Sequence, residues 1–464
     1  MMRSLYSGVA GLQNHQTRMD VVGNNVANVN TIGFKRNRVN FQDMIYQNMQ
    51  GATRPTEDLG GVNPKQVGLG MTVAAIDTIH TQGALQSTGV RSDVAIQGDG
   101  FFILRKGGSD LYTRAGAFNV DGEGYLVNPA NGMRVQGWIA ETINGQQVLN
   151  PSMDIADIVI PLNSKDPAKA TETVRLMCNL DKNTPTLAEG AALDEVRAAT
   201  YVVTKEIYDG MGNTHTLRIE YTRQEGTVNE WQAAVSINAT EEEANPTGLT
   251  LGINGEMGEG QTFTINFDNN GAVASVTDAE GNTVNAGTLN ITVAYNVPDS
   301  TPDADGNPQR LTFNIEVGTV GQYDNSTTQF ASPSTTKSWF QDGYNMGYMA
   351  DYQIDATGKV IGIYTNGQRK EVAQLALATF ANPGGLDKVG ETNFAKSTNS
   401  GDVMIDPAGS ANKGSVQAGV LEMSNVDLSV EFVDMIVTQR GFQANSKGIQ
   451  TSDTMLQELL QLKR

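Results

Sequence analysis

Apolar residues recur at alternating spacings of four and three at both ends of the chain. Near the start they fall at Leu5, Val9, Leu12, Met19 and Val26, with Gln16 and Gly23 filling the same series. Near the end they fall at Leu428, Phe432, Met435, Phe442, Ile449, Leu456 and Leu460, with Gln439, Ser446 and Asp453 between them. This spacing keeps one side of an α-helix apolar and is the pattern of a coiled-coil seam. The polar interruptions at Gln16 and Gln439 cost stability and fix register. The first helix is expected from about Arg3 to Val29, stopping among Asn28, Asn30 and Gly33, which tolerate left-handed turns. The second is expected from Asn425 to Leu462, roughly 57 Å long at 1.5 Å per residue. Ser424 and Asp427, three residues apart, suggest a capping box at its start. So long a helix with one apolar face needs a partner, and the two ends are expected to pair.

Between the helices the period changes to two. Residues 35–72 contain the breakers Arg54-Pro55, Gly60-Gly61 and Asn63-Pro64 and read as an extended connector. Short β-branched runs follow at Val94–Ile96, Phe101–Leu104 and Tyr125–Val127. Beyond residue 150, Asp209-Gly210, Asn254-Gly255, Asn270-Gly271 and Gly281-Asn282 punctuate alternating segments as hairpin turns do. The fold class expected is α+β and multidomain: a terminal helical pair plus two β-rich domains, the outer inserted in the inner. The expected division is 1–34 with 419–464 as the helical assembly domain and 35–72 as the connector. Residues 73–149 with 331–418 make the inner β domain, and 150–330 the outer one.

Charge narrows the class. The chain carries a formal −19, yet residues 1–47 and 420–464 together hold nine basic and eight acidic residues, so the acid excess lies in the middle. That excludes a nucleic-acid partner, whose phosphates need a basic footprint. No stretch approaches the roughly 18 apolar residues of a membrane span, and Arg3 is not followed by an apolar core with a cleavage site. Aromatic residues are 6% of the chain and Trp138, Trp231 and Trp339 are scattered, against the aromatic grooves of a secreted β-rich adhesin.

The wording of the ends is more specific than their period. Asn24-Asn-Val-Ala-Asn-Val-Asn-Thr-Ile-Gly-Phe-Lys35, Leu421-Glu-Met-Ser-Asn-Val-Asp427 and Gln439-Arg-Gly-Phe-Gln-Ala-Asn445 resemble the terminal signatures of bacterial flagellar axial proteins. Those are the rod, hook and hook-associated proteins. Asp93-Val-Ala-Ile-Gln-Gly-Asp-Gly-Phe-Phe102 and Tyr112-Thr-Arg-Ala-Gly-Ala-Phe118 look like the same family. Length and the large middle favour its hook branch over a distal-rod or hook-associated member. The resemblance implies a helical homopolymer acting as a flexible tube between rod and filament. Its partners would be copies of itself, the rod, the hook cap, the hook–filament junction proteins and the type III export apparatus. It would be located in the hook and basal body, in the periplasmic space if the source is spirochaetal. The twelve apolar positions named first would form the assembly seam.

Chemistry is sparse. His15, His80 and His215 lie far apart, and Asp303-Ala-Asp-Gly-Asn307 lacks the full ligand pattern of a calcium loop. No cofactor, metal or catalytic residue is expected, and the chain reads as a structural protein rather than an enzyme. The single cysteine, Cys178, is either a small core residue or a reactive thiol near Arg175 and Lys182, whose charges would lower its pKa. Spirochaetal hook proteins are similar here: their subunits are joined by lysinoalanine links between a cysteine and a lysine. That resemblance implies Cys178 and Lys165 as the linked pair and Asn179 as helper, with Lys169 and Lys182 as rival donors. An intrachain bond across the 13 intervening positions is the alternative geometry.

Overall fold

The computed structural model describes residues 2–52, 54–55, 60–143, 146–187, 193–223, 226, 229–238, 249–253, 256–258, 261–279, 281–296, 310–410 and 413–461. The expected turn at Asn254-Gly255 and the acidic stretch at 303–307 lie outside them. The fold is α+β. A helix at Met2–Ala27 opens the chain and one at Leu428–Gln461 closes it, with a strand-built body between. The chain divides into two compact units. One comprises Met1–Leu162, Met349–Ile363 and Gln368–Arg464, the other Asn163–Tyr348 and Tyr364–Gly367.

In the first unit, strands from the two halves of the chain interleave. Val94–Gln97 pairs with Ser415–Ala418, and Leu85–Ser87 with Val420–Glu422, both antiparallel. Arg369–Phe380 is the central strand, bonded to Phe101–Lys106, Arg134–Ile139, Lys359–Tyr364 and Val403–Pro407. It is buried along most of its length, as a strand covered on both faces must be. Phe101, Tyr112, Trp138, Phe380 and Phe394 pack beneath it as one cluster. The described residues between 35 and 72 are mostly extended, and they do not run free. Asn37–Asp43 folds back on Met71–Thr78, and Tyr46–Gln50 on Lys65–Gly68, so the breakers lie in a long hairpin.

The second unit is a β-sandwich. One sheet runs from Glu256–Gly258 through Thr250–Ile253, Thr288–Asn296, Arg310–Thr319 and Thr173–Asp181 to Thr328–Phe330. The other is a meander of Thr200–Tyr208, Thr214–Thr222, Glu230–Ile237, Thr262–Phe267, Val273–Asp278 and Thr283–Val284. Strict alternation fills the space between the sheets: Val174, Leu176, Cys178 and Leu180 from one face Ile219, Tyr221, Trp231 and Phe263 from the other. Thr335–Gln341 lies antiparallel against Thr173–Asp181, which carries the compact unit on to residue 348.

Trp231 is fully buried at the centre of that core. Replacing it by alanine should remove about 3–5 kcal/mol of stability from this unit. In a urea titration followed by two probes, the sandwich transition should move to lower denaturant while the aromatic cluster of the other unit holds its midpoint.

Candidate assembly site and the Cys178 groove

The contact between the terminal helices takes in part of the periodic seam and leaves part of it bare. The fully buried side chains of the C-terminal helix are Glu431, Thr438 and Ser452, and those of the N-terminal helix are Val22 and Asn25. Leu5, Leu12, Met19 and Val26 are half-buried, as are Met435, Ile449 and Leu456. Val9, Leu428, Phe432, Phe442 and Leu460 are exposed, at 40% or more of their surface. Sequence reasoning assigned all twelve to one seam; within the chain, seven of them are half-buried and five exposed. The two helices approach closely. A Cβ added at Gly8 would meet the Ile449 side chain at 2.9 Å, at Gly11 the Asn445 amide at 2.6 Å, and at Gly441 the His15 ring at 2.7 Å. Glycine on each helix receives a side chain from the other, and hydrogen bonds complete the line. Arg18 donates to Asp434 at 2.9 Å, Ser4 meets Ser452 at 3.3 Å, and Asn25 donates to Glu431 at 3.2 Å.

The expected capping box is a simpler cap. Asp427 Oδ1 accepts from the Ser429 amide at 2.8 Å and the Val430 amide at 3.4 Å, so Asp427 is the N-cap. Ser424 sits three residues earlier and accepts from the Val426 amide instead. The first helix ends at Ala27, and the chain turns at Gly33, whose φ is +68°. A Cβ there would lie 2.5 Å from the Ala115 nitrogen, and its own N–H donates to the Glu422 carbonyl at 2.8 Å. Only glycine fits both demands.

That turn delivers Lys35 to a sealed ionic cluster. Lys35 and Glu422 are 1% and 0% exposed and stand 2.6 Å apart; Arg114 reaches the second Glu422 oxygen at 3.4 Å. Lys35 also donates to the Thr81 carbonyl, and the Gly83 amide donates to Glu422. Asn425 bridges beside them, accepting from the Arg36 amide and donating to the Ile79 carbonyl, both at 2.8 Å. Burial pushes the Lys35 amine down while Glu422 pulls it back up. His80 lies against Phe101 and Phe394, and burial together with Lys35, Lys388 and Arg114 holds its pKa down at about 4. The cluster was missed from sequence, although Lys35, Arg114 and Glu422 each sit inside a quoted signature.

Cys178 is 2% exposed, its side chain in the sandwich core and its Sγ 3.4 Å from the Thr336 hydroxyl. The expected acidification is reversed. Burial pushes the thiol up, and the Thr336 hydrogen bond and the Lys205 charge offset only part of this. Arg175 is engaged by Glu316 instead. Asn179 spends its amide on backbone, donating to the Ser332 carbonyl at 3.0 Å and accepting from the Phe330 amide at 3.1 Å. A groove of about 880 Å³ runs over this strand, lined by Cys178, Asn179, Tyr323, Pro333 and Lys337 among others. Lys165 is exposed and pairs with Tyr348, whereas Cys178 pairs with Thr336 on the same returning segment. Thirteen residues of extended chain span at most about 40 Å at 3.3 Å per residue, and the two pair with positions at opposite ends of that returning segment. Lys169 is held by Asp342 at 2.8 Å, which raises its pKa and keeps it protonated.

Four family profiles match in chain order: "Flagella basal body rod protein" over 5–35, "Flagellar hook protein FlgE/F/G D1 domain" over 95–170, "Flagellar basal body protein FlaE D2 domain" over 179–344, and "Flagellar basal body rod FlgEFG protein C-terminal" over 417–462. Paired terminal helices, an ionic junction drawn from both chain ends and strand-built units between define a structural axial protein of the bacterial flagellum. The chain is 52% identical to the flagellar hook protein FlgE of Treponema pallidum and 53% to that of Borreliella burgdorferi, over the whole of each chain. Against FlgE of Salmonella typhimurium it is 32% identical, over 99% of this chain and all of that one. The chain belongs to the flagellar hook protein family.

The junction makes two measurable demands. Glu422→Gln leaves Lys35 and Arg114 buried with no carboxylate, and should cost about 3–5 kcal/mol in urea unfolding of this unit. His80 takes a proton near pH 6.5 when unfolded but only near 4 when folded. The unfolded state therefore binds more protons between those values, and stability present above pH 6.5 falls as pH drops through about 4. The loss attributable to His80 should approach about 3 kcal/mol, and His80→Phe should flatten the stability–pH curve in that window.

Proposed function

We propose that this chain is the repeating subunit of a flagellar hook, polymerising into a bendable tube that carries torque from rod to filament. The observation that carries this reading is the bare apolar face of the C-terminal helix. Leu428, Phe432, Val433, Ile436 and Val437 are exposed because the contact with the N-terminal helix uses the opposite side. An apolar stripe of that size on a soluble chain marks a surface built for burial against another molecule. In the polymer the helices, with 1–34 and 419–464, form the inner assembly domain, and the rest of the first unit and the sandwich unit of 163–348 with 364–367 form the outer layers. The subunit reaches its place through the type III export apparatus and meets rod, cap and junction proteins at the ends of the tube.

The same reading includes a covalent seal between copies. Cys178 loses its α-proton and its Cβ–S bond breaks, releasing hydrogen sulfide and leaving dehydroalanine. The neutral amine of a neighbour's Lys165 adds to Cβ, and a proton returns to Cα; the products are lysinoalanine and hydrogen sulfide, with no net oxidation. Two features support it: Lys165 and Cys178 of one chain pair with the separate positions Tyr348 and Thr336 on the returning segment, and Cys178 borders a surface groove. Burial keeps the Cys178 sulfur protonated, so that it leaves as hydrosulfide rather than sulfide once a base takes the α-proton. Proximity in the polymer supplies the high effective concentration that a slow addition needs.

Phe442→Asp should abolish tubes in electron micrographs at concentrations where the parent chain assembles, since a carboxylate there would be desolvated on contact. The sandwich should stay folded, read from the circular dichroism of its buried Trp231. Assembled material boiled in detergent and reductant should run as a ladder that Cys178→Ala and Lys165→Ala each collapse to monomer with tubes intact. A ladder surviving Cys178→Ala refutes the seal.

A further inference from the structure

A second bare apolar surface stands on the hairpin of residues 37–78. All five residues of Tyr46–Gln50 are exposed, and the ribbon they form with Lys65–Gly68 has only two strands. Ile45 is 76% exposed, Tyr46 51% and Met49 67%, and Met49 is the extra residue of a bulge between Asn48 and Gln50. A two-stranded ribbon in water is marginal at best, and large apolar side chains on both its faces leave it short of cover. From Met44 to Ala52 it carries no charged residue.

We infer that this hairpin tip docks on the C-terminal helix of a second copy, over the apolar face from Leu428 to Val437. The inference rests on the polymer reading above and names one of its contacts. The two surfaces match in charge. On the helix, Glu431 is buried and paired with Arg36, Asp434 is paired with Arg18, and the first exposed charged residue beyond Val437 is Arg440. On the ribbon the one charged residue of the two paired strands is Lys65, so in a chain of −19 these are faces that copies can bring together without carboxylate repulsion. They match in length, about 15 Å for ten helical residues and about 17 Å for the five-residue strand. Neither surface covers the other within one chain, because both are exposed there. They are also different patches, and a contact between different patches is heterologous. It propagates into an open helical array rather than closing as a dimer.

The test places cysteines in a Cys178→Ser background, which also removes the proposed lysinoalanine seal. Met49→Cys with Val433→Cys, both at exposed positions, is polymerised and treated with a short bismaleimide. The expected result is a ladder of covalent multimers from polymer and none from dilute monomer. Each single-cysteine variant should give no ladder. In parallel, Ile45→Lys with Met49→Lys should raise the concentration needed for polymerisation at least tenfold while leaving both units folded. Tubes that form normally, with no cross-linking of the double variant and no effect of the lysines, overturn the docking and leave the polymer reading standing. Failure of the parent chain to polymerise at all overturns both.

Discussion

The buried pair of Lys35 and Glu422 is the constraint on which the first unit depends. Each charge is withdrawn from water, and each is tolerable only because the other stands 2.6 Å away. Lys35 follows the first helix, Glu422 precedes the last, and Arg114 comes from the β body between them. Three stretches remote in sequence must arrive together before any of these charges is satisfied. Forming the body and setting the directions of both helices are thus one event. A hydrophobic junction of equal volume would tolerate small rotations, whereas an ion pair fed by the Gly83 amide and the Thr81 carbonyl does not.

The helix pair follows a different economy. Its inner line is glycine, serine, threonine, asparagine and ion pairs, which hold two helices close but bury little apolar surface. Several large apolar side chains of the C-terminal helix, Leu428, Phe432, Val433, Ile436 and Val437 among them, are thereby left on the outside. In an isolated soluble protein that placement would be a liability. In a subunit whose function is to join others, it separates two tasks on one helix: hydrogen bonds and close packing set its direction within the chain, and apolar area is kept for neighbours.

Much of this was legible in the sequence. Helix periodicity placed both terminal helices within a few residues, and turn dipeptides marked hairpins at Asp209-Gly210, Asn270-Gly271 and Gly281-Asn282. Periodicity could not say which side of the helix meets its partner. It scores hydrophobicity, and the contact was decided by the absence of side chains at Gly8, Gly11 and Gly441. For Cys178 the sequence left a core residue and a reactive thiol open, and the structure shows the core residue. Arg175 and Lys182 are near it in sequence, but strand alternation turns the thiol into the core while Arg175 faces Glu316 on the neighbouring strand. The ionic junction lay hidden because its members sit nearly 400 positions apart, a pairing that only the fold reveals.

The way the chain enters and leaves the sandwich has a mechanical consequence. Lys165 pairs with Tyr348, Lys169 with Tyr344 and Cys178 with Thr336, so the incoming and outgoing segments run antiparallel as one ribbon. A pull on the two free ends of such a ribbon strains its cross-strand bonds one after another, as a zipper opens, rather than all together in shear. Resistance to that loading is low however well the sandwich core is packed. Force that reached the sandwich along its own stem would peel it.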